Sequence, residues 1–220
     1  LGFERRMVEH LLKNPQDFIG AFRKLPNNLQ LMTVHALQSV VFNRSLKKRL
    51  ENGLSITTPV TGDLVGRLDE KGQLAVSSCV TVEDRTAPRI GRNCDLGRLT
   101  VTGPLPGRDI RTCEGKPGEL EQLVLEEMDL AETSWMVEAI PRLTTSGTRR
   151  SLTTSFDDFS VEVTPKAAEE TLGERWNNGP AENSRWHPDG ACLKFRFTLP
   201  SGSYATILLR EYMRGPLNQL

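Results

Sequence analysis

Residues 191–211 read ACLKFRFTLPSGSYATILLRE, and the pattern changes from a strand to a helix within this stretch. One face of the predicted strand carries Leu193, Phe195, Phe197 and Leu199, and the other carries Lys194, Arg196 and Thr198. This alternation is typical of a strand with one buried face. Pro200 and Gly202 interrupt it, and a helical pattern follows from about Tyr204 to Met213. The stretch therefore predicts a strand, a turn and a helix.

The turn before this helix is a candidate binding site. The first backbone N–H groups of a helix have no partner within it, so they can hold an anion or a polar group of a substrate. Arg210 and Glu211 lie roughly two turns further along the helix. The alternative is a scaffold role, in which Arg210 and Glu211 form a local ion pair.

The composition limits the partners that the chain can have. It contains 220 residues, of which 37% are hydrophobic, so it can bury one substantial core or two small ones. Lysine plus arginine and aspartate plus glutamate number 28 each, which gives a net charge of zero. Binding of nucleic acid would therefore depend on local basic patches. No apolar run is long enough to cross a membrane, so we expect no membrane contact.

The cysteines and histidines do not suggest a metal site. They are scattered along the chain as Cys79, Cys94, Cys113, Cys192, His10, His35 and His187. Zinc sites group such ligands at short spacings, which do not occur here, so we expect no metal. The cysteines are expected to be reduced, small apolar residues, as in most cytoplasmic proteins.

Helical and strand patterns follow one another irregularly. Helices are predicted over 3–13, 17–25, 29–50, 119–128 and 204–213, and strands over 62–66, 73–76, 79–82, 99–103, 156–163 and 191–199. The long helix is expected to bury an apolar stripe of Val34, Leu37, Val41, Leu46 and Leu50. A polar loop is predicted over 166–188, and the two strands that it joins are expected to be antiparallel neighbours. The lack of a regular βαβ order favours an α+β class.

Five segments resemble, in order, the tRNA pseudouridine synthase D (TruD) family. They are TVHALQSVVFNR at 33–44, GDLV at 62–65, TGPLPG at 102–107, GTRR at 147–150 and GSYATILLRE at 202–211. The first, which continues to Arg49, is similar to the family's H-A-x-Q-S-x-x-F-N-x-x-L-x-x-R helix. The third is similar to its G-P-L-x-G turn. The first and fifth segments are the most specific.

The resemblance implies an activity and a fold. Members of the family isomerise a uridine in RNA to pseudouridine, typically at position 13 of tRNA, and need no cofactor and no metal. An aspartate attacks the flipped-out nucleotide, the glycosidic bond breaks, and the base reattaches through carbon. The family's antiparallel α+β catalytic sheet is interrupted by a separate α/β insertion domain. On that template, 1–28 ends the first catalytic part, 29–153 is the insertion domain, and 154–220 returns to the catalytic sheet.

The family's nucleophile is missing from this sequence. It lies in a G-x-K-D-x-x-A-x-T-x-Q segment, whereas this chain has no Lys-Asp pair, and the N-Y-F-G-x-Q-R-F-G segment is missing too. We therefore expect a C-terminal part of a longer enzyme that acts on tRNA, inactive without its N-terminal catalytic segment. The resemblance favours Arg210 as the basic partner of the missing aspartate, because a neighbouring cation lowers the pKa of a carboxyl group. Ser203 and Tyr204 are candidates to line the pocket for the base or a phosphate.

Three basic patches are candidate RNA-binding surfaces. They are Arg44, Lys47, Lys48 and Arg49 on the long helix, then Arg85, Arg89, Arg92 and Arg98 along a predicted loop, and finally Arg149 with Arg150. Such residues bind phosphates and position RNA without reading its sequence. The alternative for each patch is solvated surface charge.

Other interpretations remain open. One is a non-catalytic RNA-binding module that kept this half of the fold and lost the nucleophile. Another is a protein-interaction domain that uses the acidic helix at 119–132. His35 and Gln38 lie one turn apart on the long helix. Their spacing does not provide a pair of nucleophile and base, so packing or buried hydrogen bonding is favoured over a catalytic role for both.

Overall fold

The computed structural model describes residues 2–164 and 192–213. The chain divides into two compact units, Leu1–Thr153 and Thr154–Leu220, which we call unit 1 and unit 2. The polar loop predicted at 166–188 lies outside the described residues. The assignment of three segments to a catalytic sheet and an insertion domain stays a prediction, because compactness alone does not define those parts.

Unit 1 begins with three helices: α1 (Gly2–Lys13), α2 (Phe18–Phe22) and α3 (Asn27–Glu51). Asp17 caps α2 by accepting a hydrogen bond from the Gly20 N–H at 2.8 Å. Its second carboxylate oxygen lies 2.8 Å from Nε2 of His10. Side chains as well as backbone therefore hold the turn between α1 and α2.

The buried face of α3 is largely polar. Its buried residues are Gln30, Gln38, Val41, Phe42, Ser45 and Arg49. The predicted apolar stripe is correct for Val41 but wrong for Leu37 and Leu50, which are 36% and 53% exposed. Polar side chains can be buried when they find hydrogen-bond partners, and the spacing of apolar residues does not reveal such partners.

A four-stranded antiparallel sheet forms the centre of unit 1. Its strands are β1 (Leu64–Leu68), β2 (Leu74–Thr81), β3 (Leu99–Leu105) and β4 (Thr148–Ser151), in the order β2-β1-β3-β4. The two strand patterns predicted within 73–82 form one continuous strand, β2. The register between β1 and β2 shifts between Val65 and Arg67. A Cβ on Gly66 would lie 2.5 Å from the end of the Leu74 side chain, so a larger residue at this irregularity would require that side chain to move.

The segment 85–98, predicted as a loop, contains a helix, α4 (Ala87–Asp95). Pro88 lies in its first turn, where a missing N–H is tolerated, and Gly91 does not end the helix. The buried cluster that anchors α4 to the sheet consists of Ile90, Val65, Val82 and Val101. This apolar contact outweighs the weak helix propensity of glycine and proline.

Distant segments close unit 1 around α3. The helix α5 (Gly115–Glu127) and a short 3-10 turn (Pro141–Leu143) both pack against α3. Three hydrogen bonds tie the first part of the chain to the region of this turn: Arg23 Nη2 to the Ala139 carbonyl, Arg142 Nη2 to Gln30 Oε1, and Gln38 Nε2 to Thr145 Oγ1. They span 107 to 116 residues of sequence, so the unit is closed by long-range contacts.

Two glycines make a close backbone contact beyond the end of β3. A Cβ on Gly107 would lie 1.9 Å from the amide nitrogen of Gly147. A Cβ on Gly147, whose φ is +76°, would lie 2.6 Å from the amide nitrogen of Gly107. Only glycine fits at either position. This contact joins two of the motif segments, 102–107 and 147–150.

Gly107→Ala is expected to lower the free energy of unfolding by about 1–3 kcal/mol, because the methyl group meets backbone that must move. The matched control is Gly91→Ala in α4, where a new Cβ meets nothing within 4 Å. That substitution should raise stability by about 0.5–1 kcal/mol, since alanine is the better helix former. Urea unfolding of the parent and both variants measures the changes, and equal effects of the two substitutions would contradict the steric argument.

Unit 2 contains β5 (Asp157–Thr164), β6 (Cys192–Thr198) and α6 (Ala205–Met213). The two strands pair in antiparallel, with Val161 opposite Phe195, which confirms the predicted pairing. The rings of Phe159 and Tyr212 stack with their centroids 5.1 Å apart. The Tyr212 ring also lies 5.5 Å from that of Phe195, so aromatic contacts hold α6 on the two strands.

Both sheets of the described chain are antiparallel, and helices are interspersed without a βαβ order. This architecture is the predicted α+β class. Among the residues that the structure describes, no helix combines the length and the apolar character that a membrane crossing requires.

Candidate nucleic-acid interface

Arg49 is buried, so its predicted place in a basic surface patch is wrong. Its Nη1 and Nη2 donate to the two carboxylate oxygens of Asp63 at 2.6 and 2.8 Å, and its Nε donates to the Ser55 carbonyl at 2.7 Å. The Asp63 side chain is completely buried. A bidentate pair of this kind fixes geometry as well as charge. It joins the motif helix at 33–49 to the Gly-Asp motif that follows.

Arg149 is also buried, and this position does not favour its predicted RNA contact. Its guanidinium donates to the two carboxylate oxygens of Glu121 at 2.9 and 2.7 Å and to the Thr102 carbonyl at 2.8 Å. Burial alone lowers the pKa of Arg149, but the hydrogen bonds and charge of Glu121 raise it above its usual value. Arg149 therefore binds β4 to β3 and α5 and is not available to a phosphate.

The Cys113 thiol belongs to the same buried group. Nη2 of Arg149 lies 3.2 Å from its sulfur. Burial and the nearby charge of Glu121 raise the pKa of Cys113 to about 12. The thiol therefore stays protonated at neutral pH, which is unfavourable for a nucleophile.

Gln38 has the buried hydrogen-bonding role that was favoured for it. Its Nε2 donates to the Pro106 carbonyl at 2.8 Å and to Thr145 Oγ1 at 3.1 Å. The motif helix is thereby tied to the turn at 102–107. His35 is exposed, so the expectation of packing is wrong for this residue.

The other cations of the basic patch on α3, Arg44, Lys47 and Lys48, differ in how accessible they are to a phosphate. Lys48 forms an ion pair of 2.5 Å with Glu127, which binds α3 to α5. Nζ of Lys47 lies 3.7 Å from Glu51, and both side chains are exposed. Arg44 is exposed and has no ion pair in the described part of the chain. Arg44 and Lys47 are thus the more accessible cations of this patch, while Lys48 is only partly exposed.

Arg150 lies next to buried Arg149 but differs from it in environment. Its guanidinium carbon is 5.3 Å from the centre of the Phe42 ring. The same ring would lie 2.9 Å from a Cβ on Gly103, so the motif glycine makes room for it. Arg150 therefore stabilises the packing of α3 through a cation–π contact, and it is partly exposed.

Three arginines of the second patch line an open groove of about 430 Å³ beside α4. The lining residues are Pro88, Arg89, Arg92, Asn93, Leu96 and Arg98. These three arginines are exposed, and within the described residues none of them forms an ion pair. Arg85 differs, because its Nε donates to Glu83 at 2.6 Å. Sequence reasoning predicted the basic patch but missed α4, the helix that gathers its arginines.

The start of α6 carries the candidate residues of unit 2. The Ser203 N–H donates to the Pro200 carbonyl at 3.1 Å, and its Oγ lies 3.0 Å from Oγ1 of Thr154. Tyr204 is 57% exposed. Arg210 is half-buried, and no ion pair joins it to Glu211 in the described residues, so the local ion pair considered from the sequence does not form.

The acidic helix α5 is not a free negative surface. It ends at Glu127, before the predicted residue 132. Glu121 pairs with Arg149 and Glu127 pairs with Lys48, so two of its carboxylates hold unit 1 together. These pairs do not support the protein-interaction surface considered for this helix.

The model of the tRNA pseudouridine synthase D (TruD) family matches residues 1–212. A relative from Methanosarcina acetivorans, named probable tRNA pseudouridine synthase D, is 37% identical over 214 residues, which cover 97% of this chain and 44% of the relative. A relative of the same name from Halobacterium salinarum is 32% identical over 219 residues, with coverages of 97% and 43%. A crystal structure assigned as TruD from Methanosarcina mazei matches with a TM-score of 0.78 and 34% identity, covering 100% of this chain and 46% of that one.

The chain belongs to the tRNA pseudouridine synthase D (TruD) family. It spans less than half the length of the relatives described above. Four of its five motif segments lie in unit 1, where they supply buried ion pairs, hydrogen bonds and a glycine contact. The fifth contains the turn before α6 and Arg210.

Proposed function

We propose that this chain is part of an enzyme that isomerises uridine to pseudouridine in tRNA, at the family-typical position 13, in the cytoplasm. The family match over residues 1–212 is the observation that carries the proposal. The activity is that of a longer protein, because the chain spans 44% of the Methanosarcina acetivorans relative and contains no Lys-Asp pair. A preceding segment supplies the aspartate that attacks the nucleotide.

Arg210 is the proposed basic partner of that aspartate. It is half-buried on α6, and no carboxylate among the described residues forms an ion pair with it. A guanidinium beside a carboxyl group lowers its pKa and keeps it ionised, which is the form that attacks. Ser203 and Tyr204, at the start of the same helix, line the pocket for the base or a phosphate.

The tRNA backbone is proposed to meet the exposed cations of unit 1. The candidates are Arg44, Lys47, Arg85, Arg89 and Arg92, with Lys48 and Arg150 at partly exposed positions. Contacts of this kind fix the position of an RNA and carry no information about its sequence. They would hold the tRNA while the extruded uridine reacts elsewhere in the enzyme.

A chimera tests the activity. The preceding part of the Methanosarcina mazei relative is joined to this chain at Leu1, and pseudouridine in a tRNA transcript is detected by carbodiimide modification and primer extension. A primer-extension stop that reports pseudouridine at position 13 supports the proposal. A folded chimera that binds tRNA but forms no pseudouridine, beside an active parent enzyme, overturns it.

Arg210→Ala in this chimera is expected to lower kcat/KM about 100-fold, because a preorganised charged group is lost from the reaction centre. Arg210→Lys should recover part of the activity, since the positive charge is retained. The matched control is Arg196→Ala on β6, which removes an exposed arginine of the same unit and should leave kcat/KM near the parent value. If Arg210→Ala behaves like the control, Arg210 is not the partner of the aspartate.

A further inference from the structure

We propose that the groove beside α4 binds one nucleotide of an RNA strand. Arg89, Arg92 and Arg98 hold its phosphates, and the sugar or base rests on Pro88 and Leu96. All of these residues lie in unit 1 and take no part in the reaction assigned to Arg210. The inference rests on the proposed function only in naming tRNA as the RNA.

The charge of the groove favours a polyanion. Two other exposed arginines of unit 1 are already paired, Arg5 with Glu9 at 2.7 Å and Arg108 with Asp109 at 2.8 Å. The groove contains three guanidinium groups and no carboxylate among its lining residues, although Asp95 ends the same helix. Like charges held together repel one another, and a bound chain of phosphates relieves that repulsion.

The shape of the groove favours a nucleotide over a simple anion. Its volume of about 430 Å³ exceeds the needs of one phosphate group and falls in the range of small-molecule sites. Leu96, between the arginines, is 58% exposed. An apolar surface beside cations suits a sugar or the face of a base, which is how single strands are commonly held.

The backbone after α4 fixes the third arginine in place. The Arg98 N–H donates to the Asn93 carbonyl at 2.9 Å, and the Leu96 N–H donates to the Arg92 carbonyl at 3.2 Å. Gly97 between them has a φ of +67°, which lets the chain turn back on the helix. The backbone positions of the three arginines are therefore fixed on one surface, and no backbone entropy needs to be lost there on binding.

Fluorescence anisotropy with a fluorescein-labelled tRNA transcript and the 220-residue chain tests the groove. The triple variant Arg89→Ala/Arg92→Ala/Arg98→Ala should bind about tenfold more weakly or worse, and the slope of log K against log salt should fall by about 1 to 2, since one nucleotide is flanked by two phosphates and each lost phosphate contact removes roughly one unit. Leu96→Glu should weaken binding while keeping all three arginines. Arg5→Ala, which removes an exposed arginine already paired with Glu9, is the matched control and should bind like the parent.

Two results would overturn the groove assignment. One is a triple variant that binds tRNA with the parent's affinity and salt slope. The other is polyglutamate that displaces labelled tRNA from the parent as effectively as unlabelled tRNA does, which would indicate a site for acidic protein segments.

The chimera separates this inference from the proposed function. Groove variants of an active chimera should raise KM for tRNA and leave kcat within about twofold, because they remove binding that is equal in ground and transition states. If the chimera forms no pseudouridine while the groove variants still lose tRNA affinity, only the proposed function fails. If the chimera is active and the variants change neither KM nor affinity, only the groove assignment fails.

Discussion

Arg149→Met is expected to lower the free energy of unfolding by about 3–5 kcal/mol, because it leaves a buried carboxylate without its partner. The Arg149 side chain is only 2% exposed, and that of Glu121 is 12% exposed. The Thr102 carbonyl would lose a donor in the same place. Urea unfolding followed by far-UV circular dichroism measures the change as a lower midpoint at an unchanged slope.

The double variant Arg149→Met/Glu121→Leu provides the control. Apolar residues of similar volume replace a buried ion pair at little net loss in many proteins, so this variant should recover most of the stability. If the single variant loses less than about 1 kcal/mol, as exposed pairs do, Arg149 is not a buried structural cation and becomes an RNA-binding candidate again.

Asp63→Ala is expected to have a similar effect, a loss of about 3–5 kcal/mol, because the Arg49 guanidinium would stay buried without its counter-charge. Asp63 is fully buried and also accepts a hydrogen bond from the Val60 N–H at 2.8 Å. Its loss therefore frees the turn before β1 as well as the end of α3. The same urea titration measures this change.

Asp109→Ala is the matched control for Asp63→Ala. Asp109 pairs with Arg108, but these side chains are 57% and 53% exposed. Water screens an exposed pair, so this variant should lose less than about 1 kcal/mol. Comparable losses for the two aspartates would show that burial is not what makes the pair of Arg49 and Asp63 important.

Local patterns predicted most of the elements of this chain. The alternation at 191–199 predicts a strand followed by a helix, and both β6 and α6 lie where it indicates, although Leu193 on the expected buried face is 58% exposed. The helix α4 was missed because Pro88 and Gly91 weaken its local signal. It is anchored through Ile90, whose partners come from other strands and turns, so only the tertiary structure reveals it.

The candidate site was harder to predict, because arginines look alike in a sequence. Arg149 and Arg92 both belong to basic patches, yet one is buried against Glu121 and the other is exposed in a groove. The carboxylate that decides between these outcomes lies 28 residues away, on another helix. The role proposed for Arg210 on α6 followed instead from the resemblance of its motif to a known family.

The polar buried face of α3 has a consequence during synthesis of the protein on the ribosome. Gln30 and Gln38 are synthesised 112 and 107 residues before their partners Arg142 and Thr145. At translation rates of roughly 5–20 residues per second, this interval lasts about 5–20 s. During that time the two glutamines can form hydrogen bonds with water. The large apolar side chains among the buried residues of α3 are Val41 and Phe42, so the unpaired helix exposes less apolar surface to other nascent chains than a continuous apolar stripe would.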